Sequence, residues 1–208
     1  MPEVNRSSAR ARLLEATEDM LREAGMSGAG IKEIVARSAA PIGSLYHYFP
    51  GGKTQLVTES LRLHAEKVLR LMEHFFDGRK TAAAALRALF NAAAEGFERG
   101  GANKGCALGA VTLDLMPPDS EIREVCRQAF DHWISMIAAQ LPFSDKRSQR
   151  SFAVMVVAAL EGAFILARAE QSGGPFRDVG EWLAAIVSAN YPGRVRQSSR
   201  SPKSRRRQ

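Results

Sequence analysis

Apolar residues along this chain recur three and four positions apart, and no stretch alternates with period two long enough to form a strand. The pattern predicts helix after helix. The first spans about 8–24, with Leu13, Ala16, Met20 and Ala24 at helical spacing and Gly25 to stop it. Two short helices are expected at about 31–38 and 41–47. A long one follows over about 53–76, with Leu56, Ser60, Leu63, Leu71 and Phe75 as inward candidates. Further helices are predicted at about 81–99, 104–115 and 120–141, the last with Asp119 or Ser120 as its N-cap. Ser144 or Asp145 caps the next, which runs to about Gln171, where Gly173-Gly174-Pro175 ends it, and a final helix covers about 176–191. The fold class is therefore all-α, with about nine helices. The short front helices differ from the long ones behind, so the boundary is set inside the long fourth helix. This gives an N-terminal three-helix unit over 6–66, a helical domain over 67–192 and a tail over 193–208.

Charge changes that picture in one place only. The 208 residues carry a formal net charge of +7, which invites a nucleic-acid reading. Yet seven of the 29 Lys and Arg residues, and none of the 22 acids, lie in 193–208, so the rest of the chain is balanced. The Ser/Arg/Pro composition of that tail cannot build a core, and a basic disordered tail is expected. DNA binding has to be argued from a motif. Two cysteines, Cys106 and Cys126, read as reduced thiols rather than a disulfide scaffold. The longest near-apolar run, 152–160, is about half of what spans a bilayer, and the N-terminus lacks the apolar segment of a secretory signal. A soluble, cytoplasmic protein with no membrane partner is expected.

The informative stretch is 31–53, IKEIVARSAAPIGSLYHYFPGGK. A helix of about two turns, a tight turn at 38–40 and a second helix under two turns long make helix-turn-helix geometry. Ile34, Val35, Ala39 and Leu45 would pack the two helices as a unit. Pro41 suits a helix start, where its missing N–H costs no hydrogen bond. Gly43 and Ser44 are small enough to let a DNA backbone come close, and Tyr46 and His47 offer a phenol and an imidazole at phosphate height.

The runs RLLEATEDMLREAG, GIKEIV and above all GSLYHYFPGGKTQL resemble the N-terminal module of the TetR family of bacterial transcriptional regulators, over about residues 6–66. The resemblance implies phosphate contacts from Tyr46, His47 and Lys53, groove contacts from Ile42, Gly43 and Ser44, and a phosphate beside Gly30 and Lys32. Arg6 and Arg10 could reach the adjacent backbone. Two departures stand out. Ala39 occupies a turn position where the family usually has Gly, and Ile42 replaces the usual Lys early in the second motif helix, a residue able only to touch a thymine methyl. The segment Gly105-Cys106-Ala107-Leu108-Gly109-Ala110, with Asp114 beyond, is similar to the LmrA/YxaF-like subgroup of this family.

What the family implies for the second half is a homodimer through the last two helices and a pocket for a small hydrophobic effector. Phe90, Phe97, Leu108, Met116, Phe130, Trp133, Met136, Phe152 and Met155 lie on the helices that would enclose it, against the competing reading of plain core. Asp114 and His132 are the polar groups to watch, each read first as a cap or surface residue. Val154, Val157, Ala158, Glu161, Ile165, Trp182, Ile186 and Ala189 make wide faces that one subunit does not need to cover, with small residues allowing close helix approach. Cys106 reads as a buried structural thiol, and the four histidines show no metal-ligand spacing, so no metal and no cofactor are expected. No nucleophile–base pair or phosphate loop is present, so no enzyme is expected. The expected function is a ligand-responsive repressor that binds a palindromic double-stranded DNA operator as a homodimer, in the bacterial cytoplasm and on the nucleoid when bound. A DNA-binding regulator without an effector, or an activator, remains the alternative.

Overall fold

The computed structural model describes residues 8–77, 79, 81–117 and 119–190, and among them every regular element is an α-helix. In chain order these are α1 (Ala9–Gly28), α2 (Ile31–Ser38), α3 (Ile42–Tyr48), α4 (Gly52–Asp77) and α5 (Ala82–Arg99). Then come α6 (Ala107–Asp114), α7 (Ser120–Gln140), α8 (Lys146–Glu170) and α9 (Gly174–Asn190). The all-α prediction and the helix order are as expected. The tail at 193–208, Arg6 and Tyr191 lie outside the described residues.

Local sequence accounts for most boundaries. Ser8, Thr81 and Asp145 accept hydrogen bonds from the amides of Ala11, Ala84 and Ser148, capping α1, α5 and α8. Asp119 precedes α7, but its carboxylate accepts from the amide of Met116 instead. The end of α8 is set by Gln171, which takes the left-handed conformation usually given to glycine (φ 52°). Gly174 opens α9 rather than closing α8. Gly25 breaks the α-helical path at φ 63°, ψ −160°, and the chain then resumes one more turn to Gly28, so α1 is kinked there rather than stopped.

The front three helices pack on a small apolar centre of Leu13, Ile34, Leu45, Phe49 and Leu56. α4 leads from it into the rest of the molecule. There α5 lies along α9, where Gly180 lets the helices close: a Cβ at this position would collide with Phe90. α7 is tied to α4 by Trp133, whose indole N–H donates to the Ala65 carbonyl at 3.0 Å. Leu56 and Ser60 face inward as expected, whereas Leu63 and Leu71 are exposed and Phe75 is half-buried. In α1, Ala24 is exposed and Met20 only half-buried. Leu63 and Leu71 each precede a buried residue, His64 and Met72, and so stand about 100° around α4 from the side its neighbours cover; helical spacing does not say which side that is.

A second, polar seam joins α1 to the segment leading into α6. The Gly105 amide donates to the Arg22 carbonyl at 2.8 Å, and Arg22 Nε donates to the Gly105 carbonyl at 3.0 Å. Lys104 pairs with Asp19 at 2.8 Å. At the far end of α6, the Asp114 carboxylate accepts from the amide and hydroxyl of Ser27, both at 3.2 Å. Asp114 is thus a cap on the last turn of α1, and it lies where a side chain at Gly25 would stand.

Candidate nucleic-acid interface

The turn between α2 and α3 is built from backbone outward. Ala39 adopts the left-handed conformation (φ 48°, ψ 31°), and its amide donates to the Ala36 carbonyl. Ser38 is buried, its hydroxyl donating to the Val35 carbonyl and accepting from the Ala40 amide. From α1, Arg12 Nε donates to the Ser38 carbonyl at 3.0 Å and so holds the end of α2 against the first helix. Sequence reading missed this bracing role, although an arginine one turn into a helix that packs on the motif is the signal for it. The left-handed alanine explains why glycine suits this position: a Cβ there costs roughly 1 kcal/mol.

Pro41 caps α3 from outside, and Leu45 and Phe49, both fully buried, pin the helix to the centre of the head. The opposite face is open. Ile42 is 55% exposed, Tyr46 is 53% exposed, and Gly43 and His47 are exposed beside them, with Ser44 half-buried. Nothing lies within 4 Å of where a Gly43 side chain would begin, so the backbone itself can approach a partner. His47 and Tyr48 stack edge to face at 4.8 Å.

The flanking cations are placed differently from that face. Lys53 Nζ donates to the Met26 carbonyl at 3.1 Å, tying the start of α4 to the end of α1 and leaving two of its N–H groups for another acceptor. Arg10 pairs with Glu59 and stacks over Phe49, so it braces the head instead of reaching outward. Gly30 opens α2 without a side-chain cap, and the Glu33 carboxylate folds back over it. A phosphate at this helix start, where Lys32 is exposed, must displace that carboxylate.

The nine side chains assigned to an effector pocket are not gathered into one site. Phe90, Phe97 and Leu108 are buried in close packing, Phe97 against Phe176 at 5.8 Å. Phe152 packs on Phe143, and Phe130 meets Trp133 edge to face at 5.6 Å. Met116 (63% exposed) and Met155 stand out in solvent, and Met136 is half-buried. Of the nine, Trp133 lines a cleft of about 230 Å³ between α4 and α7, together with Ala65, Leu69, Val125 and Ala129, with Arg62, Glu66 and His132 on its wall. Aromatic and Met residues on facing helices satisfy one another by packing first, which is why their presence alone did not locate a cavity.

Glu161, expected on the outward face of α8, turns inward instead. Glu161 on α8 turns its carboxylate toward α6, into the space left by Gly109, and Oε1 is buried without a hydrogen-bond partner among the described residues. Burial raises its pKa to about 7, opposed by a hydrogen bond with Cys106. Cys106 is itself buried, and desolvation holds its thiol well above the usual range. Its sulfur lies 3.9 Å from His64 Nε2, and His64 Nδ1 lies 3.0 Å from Glu18 on α1. Burial raises the Glu18 carboxyl, but hydrogen bonds from His64 and Lys67 outweigh that and hold it at about 2. A single acid inside the apolar run 152–167 was the available signal.

α8 and α9 leave Val154, Ala158, Ile165 (62% exposed), Trp182 (72% exposed), Ile186 and Ala189 outward, whereas Val157 turns into the core. α8 is long and apolar enough to cross a membrane by length and composition, but its Phe152, Ala153, Val156, Val157, Leu160, Ala163 and Ala167 face is buried.

Comparison with known proteins assigns this architecture. Residues 13–59 match the family profile described as bacterial regulatory proteins, tetR family, and residues 82–182 match the C-terminal domain of transcriptional regulators that are LmrA/YxaF-like. An uncharacterized HTH-type transcriptional regulator of Mycobacterium tuberculosis is 30% identical over 196 residues, covering 90% of this chain and 98% of that protein. The uncharacterized HTH-type regulator YxaF of Bacillus subtilis is 24% identical over 186 residues, covering 88% and 97%. Among solved structures, a cysteine mutant of the TetR family regulator CifR, complexed with a 26-base-pair operator duplex, superposes with a TM-score of 0.74 at 18% identity, covering 86% of this chain and 97% of that one. With the exposed α3 on its braced turn, these matches establish that the chain belongs to the TetR family of DNA-binding transcriptional regulators, with an LmrA/YxaF-like C-terminal domain.

Proposed function

We propose that the protein is a homodimeric repressor that binds a palindromic operator and is released by a small apolar effector. The observation that carries this reading is the pair of exposed faces on separate elements: α3 in the head, and the Val154–Ile165 and Trp182–Ile186 faces on α8 and α9. Two such subunits joined at α8 and α9 form a four-helix bundle and present two copies of α3. A two-fold axis then requires half-sites one helical turn apart, about 34–36 Å, or a multiple of it. Tyr46, His47, Lys53, Gly30 and Lys32 act on phosphates, and Ile42, Gly43 and Ser44 enter the groove. The division at about residue 66, within α4, puts the head and the effector domain on one continuous helix.

The α4–α7 cleft supports the effector reading, since Ala65, Leu69, Val125, Ala129 and Trp133 offer an apolar wall beside the helix that carries the head. A ligand that prefers one position of α4 shifts the separation of the heads, a coupling typically of about 1–3 kcal/mol. CifR, solved with its operator duplex, shares this fold and supports the DNA-bound arrangement.

The test is selection of bound sequences from a random duplex pool, then titration of the winner at two salt concentrations. An enriched palindrome bound by two subunits supports the reading. Uniform, salt-sensitive binding with no enriched sequence defeats it. A thermal-shift screen of hydrophobic compounds, followed by operator titration with each hit, tests the effector: hits that leave operator affinity unchanged leave a regulator without an effector.

A further inference from the structure

The recognition helix of this protein lacks the side chains that read bases by paired hydrogen bonds. Guanine is read by Arg or Lys, adenine by Asn or Gln, and the cytosine amino group by a carboxylate. None of these residue types occurs among the seven residues of α3, Ile-Gly-Ser-Leu-Tyr-His-Tyr. The cations nearest the motif stand outside α3: Arg12 holds the turn carbonyls, Arg37 pairs with Glu23 at 2.7 Å, Lys53 donates to Met26, and Lys32 is exposed on α2.

What α3 offers at its leading end is aliphatic. Ile42 is the first helical residue and is more than half exposed, flanked by exposed Ala39 and Pro41. Gly43 beside it has open space where a side chain would be, so nothing shields Ile42 from a partner surface. Pro41 (φ −59°) and the left-handed Ala39 fix the backbone on which Ile42 stands. The N-terminal residues of a recognition helix are the ones that meet base edges. In the major groove the one feature that an aliphatic side chain distinguishes is the C5-methyl group of thymine.

We propose that Ile42 is the specificity-determining residue of α3 and that each operator half-site presents a thymine whose C5-methyl group packs against it. The inference rests on the DNA-binding orientation given above, with α3 in the major groove. It makes sequence preference depend on a methyl group rather than on a donor or acceptor. A 5-methylcytosine at the same place satisfies the contact and an unmethylated cytosine does not.

The experiment uses the full chain and the duplex selected from the random pool. Each thymine is replaced singly by deoxyuridine, which removes the methyl group and leaves pairing unchanged, and affinity is read by fluorescence anisotropy at one salt concentration. One thymine per half-site should lose about three- to tenfold on replacement, the scale of one buried methyl group. The I42A variant should bind the thymine and deoxyuridine duplexes equally. Ile42→Arg should move the preferred base at that position toward guanine. Circular dichroism checks that both variants fold, as an exposed position allows. A selected operator insensitive to every deoxyuridine replacement overturns the methyl contact alone, as does a loss that persists undiminished in I42A. Absence of any selected sequence overturns the operator reading and this inference with it.

Discussion

The exposed apolar side chains of α3 and those of α8 and α9 differ in kind. On α3 the exposed set is small and mixed: one isoleucine, a glycine, two tyrosines and an imidazole. On α8 and α9 it is wide and almost wholly hydrocarbon, from Val154 and Ile165 to Trp182 and Ile186. A face that must leave and rejoin a hydrated, charged duplex keeps polar tips among its apolar groups. A face that stays covered by another protein surface needs none, and hydrocarbon there adds about 25 cal/mol per Å² buried. Exposure alone therefore does not define a site; the chemistry mixed into the exposed patch separates a DNA-reading surface from one suited to another helix.

The sharpest way to break this comparison is to put charge on the wide face. Ile165→Glu with Trp182→Arg should yield monomers in sedimentation while circular dichroism keeps its helical signal. Operator affinity should fall more than about 100-fold, because a single head retains only half of the contacts. Undiminished dimerisation would move the subunit interface elsewhere.

Next in size is Glu161, the one acid on the α8 stripe, whose carboxylate turns inward. Its folded pKa of about 7 lies above the ordinary 4.5, so the folded chain holds a proton that the unfolded chain has released between those values. Stability from this group therefore falls as pH rises from about 4.5 to about 7, by about 3 kcal/mol in total. Glu161→Gln should remove that slope in denaturant titrations from pH 5 to 8. Glu18, held at about 2, works in the opposite sense: its contribution is complete above the unfolded value and is lost only as pH falls toward 2, outside the window. An unchanged slope in the variant would place the titrating group elsewhere.

Smaller effects sharpen the α3 side. Tyr46→Ala should weaken operator binding by about tenfold or more per dimer, at roughly 1 kcal/mol for each lost hydrogen bond, and leave thermal stability and base preference alone. A changed base preference would make Tyr46 a reader rather than a positioning contact. The smallest change is Ala39→Gly, which relieves the left-handed alanine and should stabilise the head by about 1 kcal/mol or less, the gain reduced by the freer unfolded chain. A loss of stability would show that the turn is not strained.

The motif was legible because most of its residues answer a local demand. Leu45 and Phe49 must be buried for a helix this short to hold its place, and Pro41 fits a helix start, whereas Ala39, expected to pack the two helices together, is exposed in a left-handed turn at which only the family's usual glycine hinted. Which aromatic residues line a cleft was not legible in the same way. Phe90 and Phe97 differ from Trp133 only in what faces them across a helix interface, and no spacing in the chain records that. The exposed Leu63 and Leu71 make the same point, since periodicity finds apolar residues without saying which side of a helix its neighbours cover.

By itself the sequence determined the helices, their order, the helix-turn-helix and the balance of charge before residue 193, because propensity, caps and apolar spacing act over a few neighbouring residues. Tertiary structure decided the rest: Arg12 on the turn carbonyls, Lys53 on Met26, Asp114 on Ser27, and Glu161 buried against Gly109. Those partners lie between 26 and 87 residues apart where hydrogen bonds join them. A charge or a donor announces only that it needs a partner, and which one it meets is fixed when distant helices come to rest against each other.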